Sequence, residues 1–233
     1  MIEATNFTKM IPSTAFYNFI ASDYNGHMTE SDETVRNHVI KTLINTVPDG
    51  SVLDFGGGTG LDLQSLIYNR YKVHFLEPSP HMRAIAKKTV PENAENLIVI
   101  EENIDFHNWS ADNLPFNEKM NGILANFAVL NCIEDIELLF EKLSLISTPH
   151  CKIVATVIDT LPAKMIEMYS LKVAIKSFLN IPLSTQNSYK GVTQKTFLHT
   201  KLHYKNTSAK YFNFISYSSI KSSHFAILIL SKK

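Results

Sequence analysis

The stretch SVLDFGGGTGLDL, residues 51–63, places glycine at 56, 57, 58 and 60, directly behind an apolar run. A chain surrenders that much backbone order only where the main chain turns sharply or lets a ligand approach closely. The run before it reads as a short buried strand, entered from the turn that Pro48, Asp49 and Gly50 force. After it, Leu63, Leu66 and Ile67 return at helical spacing, and the helix they predict runs to Arg70.

The same alternation continues along the chain. Upstream, Val35, Val39, Ile40, Leu43 and Ile44 predict a helix over 32–46, with Ser31 or Asp32 as its cap. Downstream, KVHFLE is a second strand. PSPHMRAIAKKTV is a helix capped by Ser79, with Pro80 at its first position and Met82, Ile85 and Ala86 facing inward. NLIVIEENI and NGILANFAVL are the third and fourth strands. EDIELLFEKLSLIS is a helix with Ile136, Leu139, Phe140 and Leu143 on one side, and CKIVATVID is the fifth strand. These strands are continuous apolar runs, as burial on both faces of a parallel sheet requires. Beyond residue 160 the rhythm weakens. PAKMIEMYSLKVAIKSFL is predicted as one helix and STQNSYKGVTQK as a loop, with AKYFNFISYSS and HFAILILSKK closing the sheet as an antiparallel hairpin. The expected fold is therefore α/β: seven strands, mostly parallel, helices on both faces and a C-terminal hairpin. One domain over 1–233 is expected, divided into an N-terminal lid (1–31), a core (32–159) and a substrate-side segment with the closing strands (160–233).

In an open parallel sheet, ligands bind at the carboxyl ends of the strands, beside the switch point. The glycine loop leaves the first strand, which makes a nucleotide-like ligand the default. A dinucleotide loop needs Gly-x-Gly-x-x-Gly with its helix meeting a pyrophosphate. Counting from Gly56, the third glycine position holds Leu61. What stands instead is DFGGGTG, with Asp54 two residues ahead of Gly56, an acid that favours a cationic ligand and repels an anionic one.

This loop resembles the first motif of class I methyltransferases that use S-adenosylmethionine, and the resemblance extends over roughly residues 33–160. It implies S-adenosylmethionine as cofactor and S-adenosylhomocysteine as product, with Asp54, Phe55, Gly56, Gly58 and Gly60 wrapping the methionine part. It implies that Glu77, in FLEPS, accepts from both ribose hydroxyls, with Pro78 and Met82 following. Asp105, in ENIDF, falls where the family receives the adenine amino group, with Phe106 packing on the ring and Asn103 as the rival for the polar role. Asn126 and Phe127 fall beside the transferred methyl. The family's usual acid just before strand four is Asn121 here, a structural position. The segment ANFAVL lacks the acid or asparagine followed by two prolines and an aromatic that marks enzymes acting on base amines or protein glutamine.

FYNFIASDYNGHM is similar to the aromatic lid of small-molecule methyltransferases, which puts Tyr17 and Tyr24 over the cofactor. An aromatic face beside a sulfonium gains on the order of 1 kcal/mol from cation–π attraction. Tyr24, His27, Asn131 and Asp159 are the candidate acceptor-binding residues, and His27, His199 and His203 the candidate proton acceptors. No residue pattern singles out a base. From Lys164 onward the chain carries eleven lysines against one acid, Glu167, and no arginine follows Arg83. That asymmetry suggests an acidic partner or substrate, but arginine is the residue favoured for bidentate phosphate recognition. A small-molecule acceptor ranks first, anionic ones included. An acyl group on an acidic carrier protein ranks second, and RNA third. With no apolar run of the roughly 18 residues that span a bilayer, and no basic start and long apolar core in MIEATNFTKMIPS, a cytoplasmic enzyme without a membrane partner is expected. Two cysteines, Cys132 and Cys151, are too few for a disulfide framework or a four-thiolate zinc site, and no metal is expected.

Overall fold

The computed structural model describes residues 9–91 and 94–233. The N-terminal segment forms strand β1 (Lys9–Met10), helix α1 (Ser13–Ile20) and a 3-10 turn (Tyr24–His27), and helix α2 (Glu30–Thr46) follows. Residues 1–8 of the expected lid lie outside the described residues. The cap of α2 differs from the expected Ser31 or Asp32. Thr29 accepts from the Asp32 amide, and the Asp32 carboxylate accepts from the Thr29 amide at 2.9 Å. Asp32 is thus the third helical residue of a capping box, which satisfies two end amides reciprocally.

The core runs β2 (Ser51–Phe55), α3 (Leu63–Tyr68), β3 (Lys72–Leu76), α4 (Pro80–Thr89), β4 (Leu97–Ile100), β5 (Met120–Ala125), α5 (Ile136–Ile146) and β6 (Ser147–Ile158). Then come α6 (Pro162–Met168), α7 (Leu171–Phe178), β7 (Ser184–Tyr189), β8 (Val192–Phe197), α8 (Lys201–Ser208), β9 (Phe212–Ser219) and β10 (Phe225–Lys232). Seven strands join in the order β4-β3-β2-β5-β6-β10-β9, with β10 antiparallel to both neighbours and the remaining pairs parallel. This is the α/β fold the sequence predicts.

Successive residues of the central strands feed opposite layers, as the pleat dictates. Leu53, Ile123, Ile153 and Leu228 enter the layer containing α5, while Val52, Leu124, Val154 and Ile227 enter the layer containing α2 and α3. All five residues of β2 are buried, its apolar Val52, Leu53 and Phe55 together with Ser51 and Asp54. Asn121 is structural: its Oδ1 accepts from the Ser51 amide at 3.1 Å and packs against Gly50, whose φ is +98°.

Two expectations are corrected after residue 160. The single predicted helix breaks at Tyr169, and Ser170 caps α7 by accepting from the Val173 amide at 3.3 Å. The predicted loop is a β-hairpin, turned at Lys190 and Gly191, both with positive φ, the geometry that matches strand twist. Its strand β8 also pairs in parallel with β1, giving a second sheet in the order β1-β8-β7. Through that sheet the hairpin grips the N-terminal segment and holds α1 over the carboxyl ends of the main sheet. Among the described residues, no helix is long and apolar enough to cross a membrane.

Candidate active site

The strand order reverses at β2, which has β3 on one side and β5 on the other, and a cavity of about 450 Å³ opens beside its carboxyl end. Its floor is the glycine loop. The Gly56 and Gly57 amides donate to the Leu76 carbonyl at 2.7 and 3.3 Å, tying the loop to the end of β3. Gly56 and Gly58 line the cavity with φ of +72° and +59°. A Cβ at Gly58 would meet nothing within 4 Å, so a side chain there would project into space left for a ligand. Gly60 is placed differently from the expectation. It does not line the cavity, and a Cβ there would press on the Ala86 and Leu63 side chains at 2.9 Å, so its task is to let the loop pack against α4.

Glu77 follows β3 and lines the cavity. Its Oε2 accepts from the Gly58 amide at 2.9 Å and its Oε1 from the Ser79 amide at 2.7 Å, which fixes the carboxylate while leaving lone pairs free. Burial pushes its pKa up against the pull of these two amides. Pro78 and Met82 line the same wall, and Phe55 faces it from the end of β2.

Beyond β4, Asp105 and Phe106 also line the cavity, whereas Asn103 does not. The Asn103 side chain turns away to the Asn113 carbonyl at 3.1 Å, and its own carbonyl accepts from the Trp109 indole at 2.7 Å. Asp105 caps the next turn. It accepts from the His107 amide at 3.1 Å and lies 2.7 Å from His107 Nδ1. Partial burial raises the Asp105 carboxyl, but the bonds from His107 leave it below its ordinary range. His107 lines the cavity and was not foreseen, since no helical or strand periodicity marks a loop residue.

At the end of β5, Phe127 and Ala128 both adopt positive φ, +54° and +60°, and turn the chain across the cavity mouth. Asn126 is locked beneath them. It donates to Asp62 Oδ2 at 3.0 Å and accepts from the Thr156 hydroxyl at 2.8 Å.

A smaller pocket adjoins the first, sharing Tyr24, Gly56, Gly58, Asn126 and Phe127 with it. Asp54 lies at its base, only 1% exposed, and among the described residues neither of its carboxylate oxygens has a hydrogen-bond partner. Burial drives the Asp54 carboxyl well above the usual carboxylate range, nearby Asp62 adds to this, and Arg36 opposes it. Arg36 reaches from α2 to Asp62 Oδ1 at 2.5 Å and lies over the Phe127 ring, 4.6 Å from its centroid. Neither Arg36 nor Asp62 was foreseen, because a pair brought together by tertiary packing leaves no local pattern.

The roof is α1 with the 3-10 turn after it. Tyr17 and Tyr24 both line the main cavity, their rings edge to face at 6.4 Å. Burial raises the pKa of both, Tyr24 to about 12. Ser13 and Thr14 on α1, and Val129, Cys132 and Ile133 beyond β5, complete this end of the cavity and were also not foreseen.

Five candidates stand elsewhere. His27 projects outward to the Tyr189 hydroxyl at 3.2 Å. His199 turns its Nε2 to the Ile133 carbonyl at 2.8 Å, and burial lowers its pKa to about 4. His203 stacks on His199 at 5.1 Å. Asn131 is fully buried, donating to the Phe197 carbonyl at 2.6 Å and accepting from the Ile158 amide at 3.0 Å. Asp159 accepts from the Leu161 amide at 3.0 Å. None of the five lines either cavity, and neither does any lysine after residue 163. Lys164, Lys190 and Lys195 pair instead with Glu167, Asp23 and Glu134.

Residues 52–149 match the family model of a methyltransferase domain. No curated protein sequence matches the chain. Among solved structures, a complex of DhpI with SAH superposes with a TM-score of 0.68 at 14% identity, covering 94% of both chains. The 1,6-didemethyltoxoflavin-N1-methyltransferase of Burkholderia thailandensis, with bound 1,6-didemethyltoxoflavin and S-adenosylhomocysteine, gives 0.63 at 12% identity, covering 95% of this chain and 88% of that one. SAM-bound CalS10, an amino pentose methyltransferase from Micromonospora echinaspora involved in calicheamicin biosynthesis, gives 0.60 at 13% identity, covering 91% and 95%. At such identities the likeness is one of fold.

Proposed function

Since the chain has the class I S-adenosylmethionine-dependent methyltransferase fold, with a methyltransferase domain over residues 52–149, we propose that it moves a methyl group from S-adenosylmethionine to a small molecule and releases S-adenosylhomocysteine. The observation that carries this reading is Asp54, a buried carboxyl group with no hydrogen-bond partner among the described residues, beneath a glycine cradle that leaves open space at Gly58. A cation brought beside that carboxyl would draw it into its charged form and pair with it. The three carboxylates Asp54, Asp62 and Glu77 would repel a pyrophosphate, so a dinucleotide fits poorly.

The residues present fit the cofactor. Glu77 would take the ribose hydroxyls with its free lone pairs, Asp105 and Phe106 the adenine, and the loop with Asp54, Arg36 and Asp62 the amino-acid part. When bound, the cofactor supplies an electrophilic methyl on a sulfonium that is already a good leaving group. The chain's own work is to hold the acceptor against that methyl and to exclude water. Residues 9–31 would act as the lid, 32–159 as the cofactor core and the remainder as the acceptor side. We read all three as parts of one domain, a reading supported by β10 and β9 lying in the same sheet as β2.

A second reading, a carrier-bound acceptor, draws on α7. There exposed Lys172 and Lys176 alternate with exposed Leu171, Ile175 and Phe178, a surface suited to an acidic carrier.

Calorimetry with S-adenosylmethionine and S-adenosylhomocysteine tests the core of the proposal. Wild type is expected to bind both, and Glu77→Ala, with its fold checked by circular dichroism, to bind at least tenfold more weakly. Absence of binding by wild type, or equal binding by both proteins, overturns it. Labelled cofactor incubated with metabolite extract then separates an enzyme from a protein that only binds.

A further inference from the structure

We infer that the acceptor end of the cavity selects an uncharged molecule bearing a nitrogen nucleophile and an adjacent hydrogen-bond acceptor, with the Tyr17 hydroxyl as the selecting donor and Gln194 as its positioning residue. The inference deepens the methyl-transfer reading and rests on it. Across the sheet, Glu77 after β3 and Asp105 after β4 mark one end of the cavity, with the glycine loop between. The other end, beyond β5, has Phe127, Val129 and Ile133 as walls and Ser13, Thr14 and Tyr17 as its roof. It offers hydroxyls and apolar surface. Its titratable groups, Tyr17, Tyr24 and Cys132, are all pushed up by burial and stay neutral near pH 7. The carboxylates that line the same cavity, Glu77 and Asp105, would be taken up by the cofactor, so a carboxylate or ammonium brought to this end would shed its water without a free counter-charge.

The hydroxyl of Tyr17 is directed by a residue far away in sequence. Gln194, on β8 and 1% exposed, donates its Nε2 to Tyr17 Oη at 3.1 Å, while its own Oε1 has no partner among the described residues. With a donor already on its oxygen, Tyr17 turns its proton elsewhere. The protein alternative is Cys132 Sγ at 3.7 Å, a weak acceptor. A carbonyl oxygen or ring nitrogen in the cavity is a better one, and Tyr17 would give it a hydrogen bond.

His107, the imidazole on the cavity lining, stands beside Asp105 at the other end, so among the described residues this end offers no general base and the nucleophile must attack with a lone pair it already has. An uncharged amine or ring nitrogen meets that demand. Its lone pair forms the new bond to the methyl carbon as the carbon–sulfur bond breaks, and the displaced electron pair remains on sulfur. The methylated nitrogen then passes any excess proton to water.

The test uses three probes of nearly the same shape and different charge: benzamide, benzoate and benzamidine, titrated at neutral pH into the full chain loaded with S-adenosylhomocysteine. Benzamide is expected to bind at least tenfold more tightly than either charged probe. Gln194→Glu places an acceptor where the donor stood, draws the Tyr17 proton back and is expected to abolish that preference, and Gln194→Asn to restore part of it. A merely structural role for Gln194 would move all three affinities together. S-adenosylhomocysteine affinity is measured first. A chain that does not bind it refutes the methyl-transfer reading and this inference with it. A loaded chain that binds benzoate or benzamidine as tightly as benzamide, or binds none of the three, refutes this inference alone.

Discussion

Asp54→Asn separates the stability of the empty protein from its affinity. The Asp54 carboxylate is buried with both oxygens unpaired, and its folded-state pKa is raised by burial first and by Asp62 second. A raised carboxyl pKa means that the folded state holds its proton more tightly than the unfolded chain. Folded stability is therefore greatest below the unfolded value of about 3.9 and declines as pH rises toward the folded value. Replacing the acid by its amide removes that decline. Leaving a buried polar group unsatisfied costs about 1–3 kcal/mol. Relieving the charged part of that cost, about 1–2 kcal/mol, raises the melting temperature of a domain this size by roughly 2–8 °C. The same change deletes the counter-charge for a cationic ligand, and a loss of about 1.4 kcal/mol already means tenfold weaker binding. Differential scanning fluorimetry from pH 5 to pH 9 as an order-of-magnitude window, with and without S-adenosylmethionine, reads both effects. The variant's melting temperature is expected to exceed wild type by a margin that grows with pH, and its ligand-induced shift to shrink. A variant that melts below wild type at high pH, or that keeps the full ligand shift, would show that Asp54 is not an uncompensated charge awaiting a cation.

Three further substitutions probe other parts of the molecule. Gly58→Ala forces a Cβ onto a residue at φ +59° and into open cavity space. It is expected to cost about 1–2 kcal/mol of stability and at least tenfold in S-adenosylhomocysteine affinity, and undiminished affinity by calorimetry would contradict the cradle. Tyr71→Phe removes the buried hydroxyl that donates to the Val47 carbonyl. A drop of about 1–2 kcal/mol in a urea melt, with ligand affinity unchanged, is the expected result, and altered affinity would count against a purely structural role. Asp23→Asn removes the acceptor shared by the Tyr189 hydroxyl at 2.7 Å and Lys190 Nζ at 2.6 Å. Those bonds hold the Asp23 carboxyl down at about 2, so the contact is fully present above the unfolded value of about 3.9 and lost only as pH falls through the folded one. Faster amide exchange in α1 with α5 unchanged is expected at neutral pH, and identical exchange in the two proteins would remove the hairpin's grip on the lid.

The parallel core was legible because burial on both faces makes most positions of its strands apolar, with Asp54, His74 and Thr156 as buried exceptions. Val52 and Leu53 serve opposite layers, so the run between Ser51 and Asp54 is apolar throughout. The Ser79–Pro80 start of α4 was legible for a local reason, since cap and first-turn geometry are set by adjacent residues. The β7–β8 hairpin was not, because β7 is mostly exposed and its Ser-Thr-Gln-Asn run carries no apolar alternation. β1, two residues long, is a strand by main-chain pairing alone. The break between α6 and α7 left one sign, Ser170 ahead of an apolar run, which helical spacing on either side concealed. In the site, residues that follow a strand end directly, such as Glu77 and Asn126, could be placed from sequence. His199 and Asn131 could not, because each turns its polar atoms to backbone groups supplied by a distant segment.

The bond from Gln194 to Tyr17 spans 177 positions, and the pairing of Lys9 and Met10 with Val192 and Thr193 spans a similar stretch. The glycine loop, Glu77 and Asp105, by contrast, come from consecutive strand–helix units of the core. The two halves of the cavity are therefore assembled on different terms, one by neighbours in sequence and the other by the meeting of remote segments. Under the reading proposed above, substitutions in α1 and β8, neither of which belongs to the main sheet, would alter acceptor preference. Such a chain would drift among acceptors while the glycine loop, Glu77 and Asp105 stay in place.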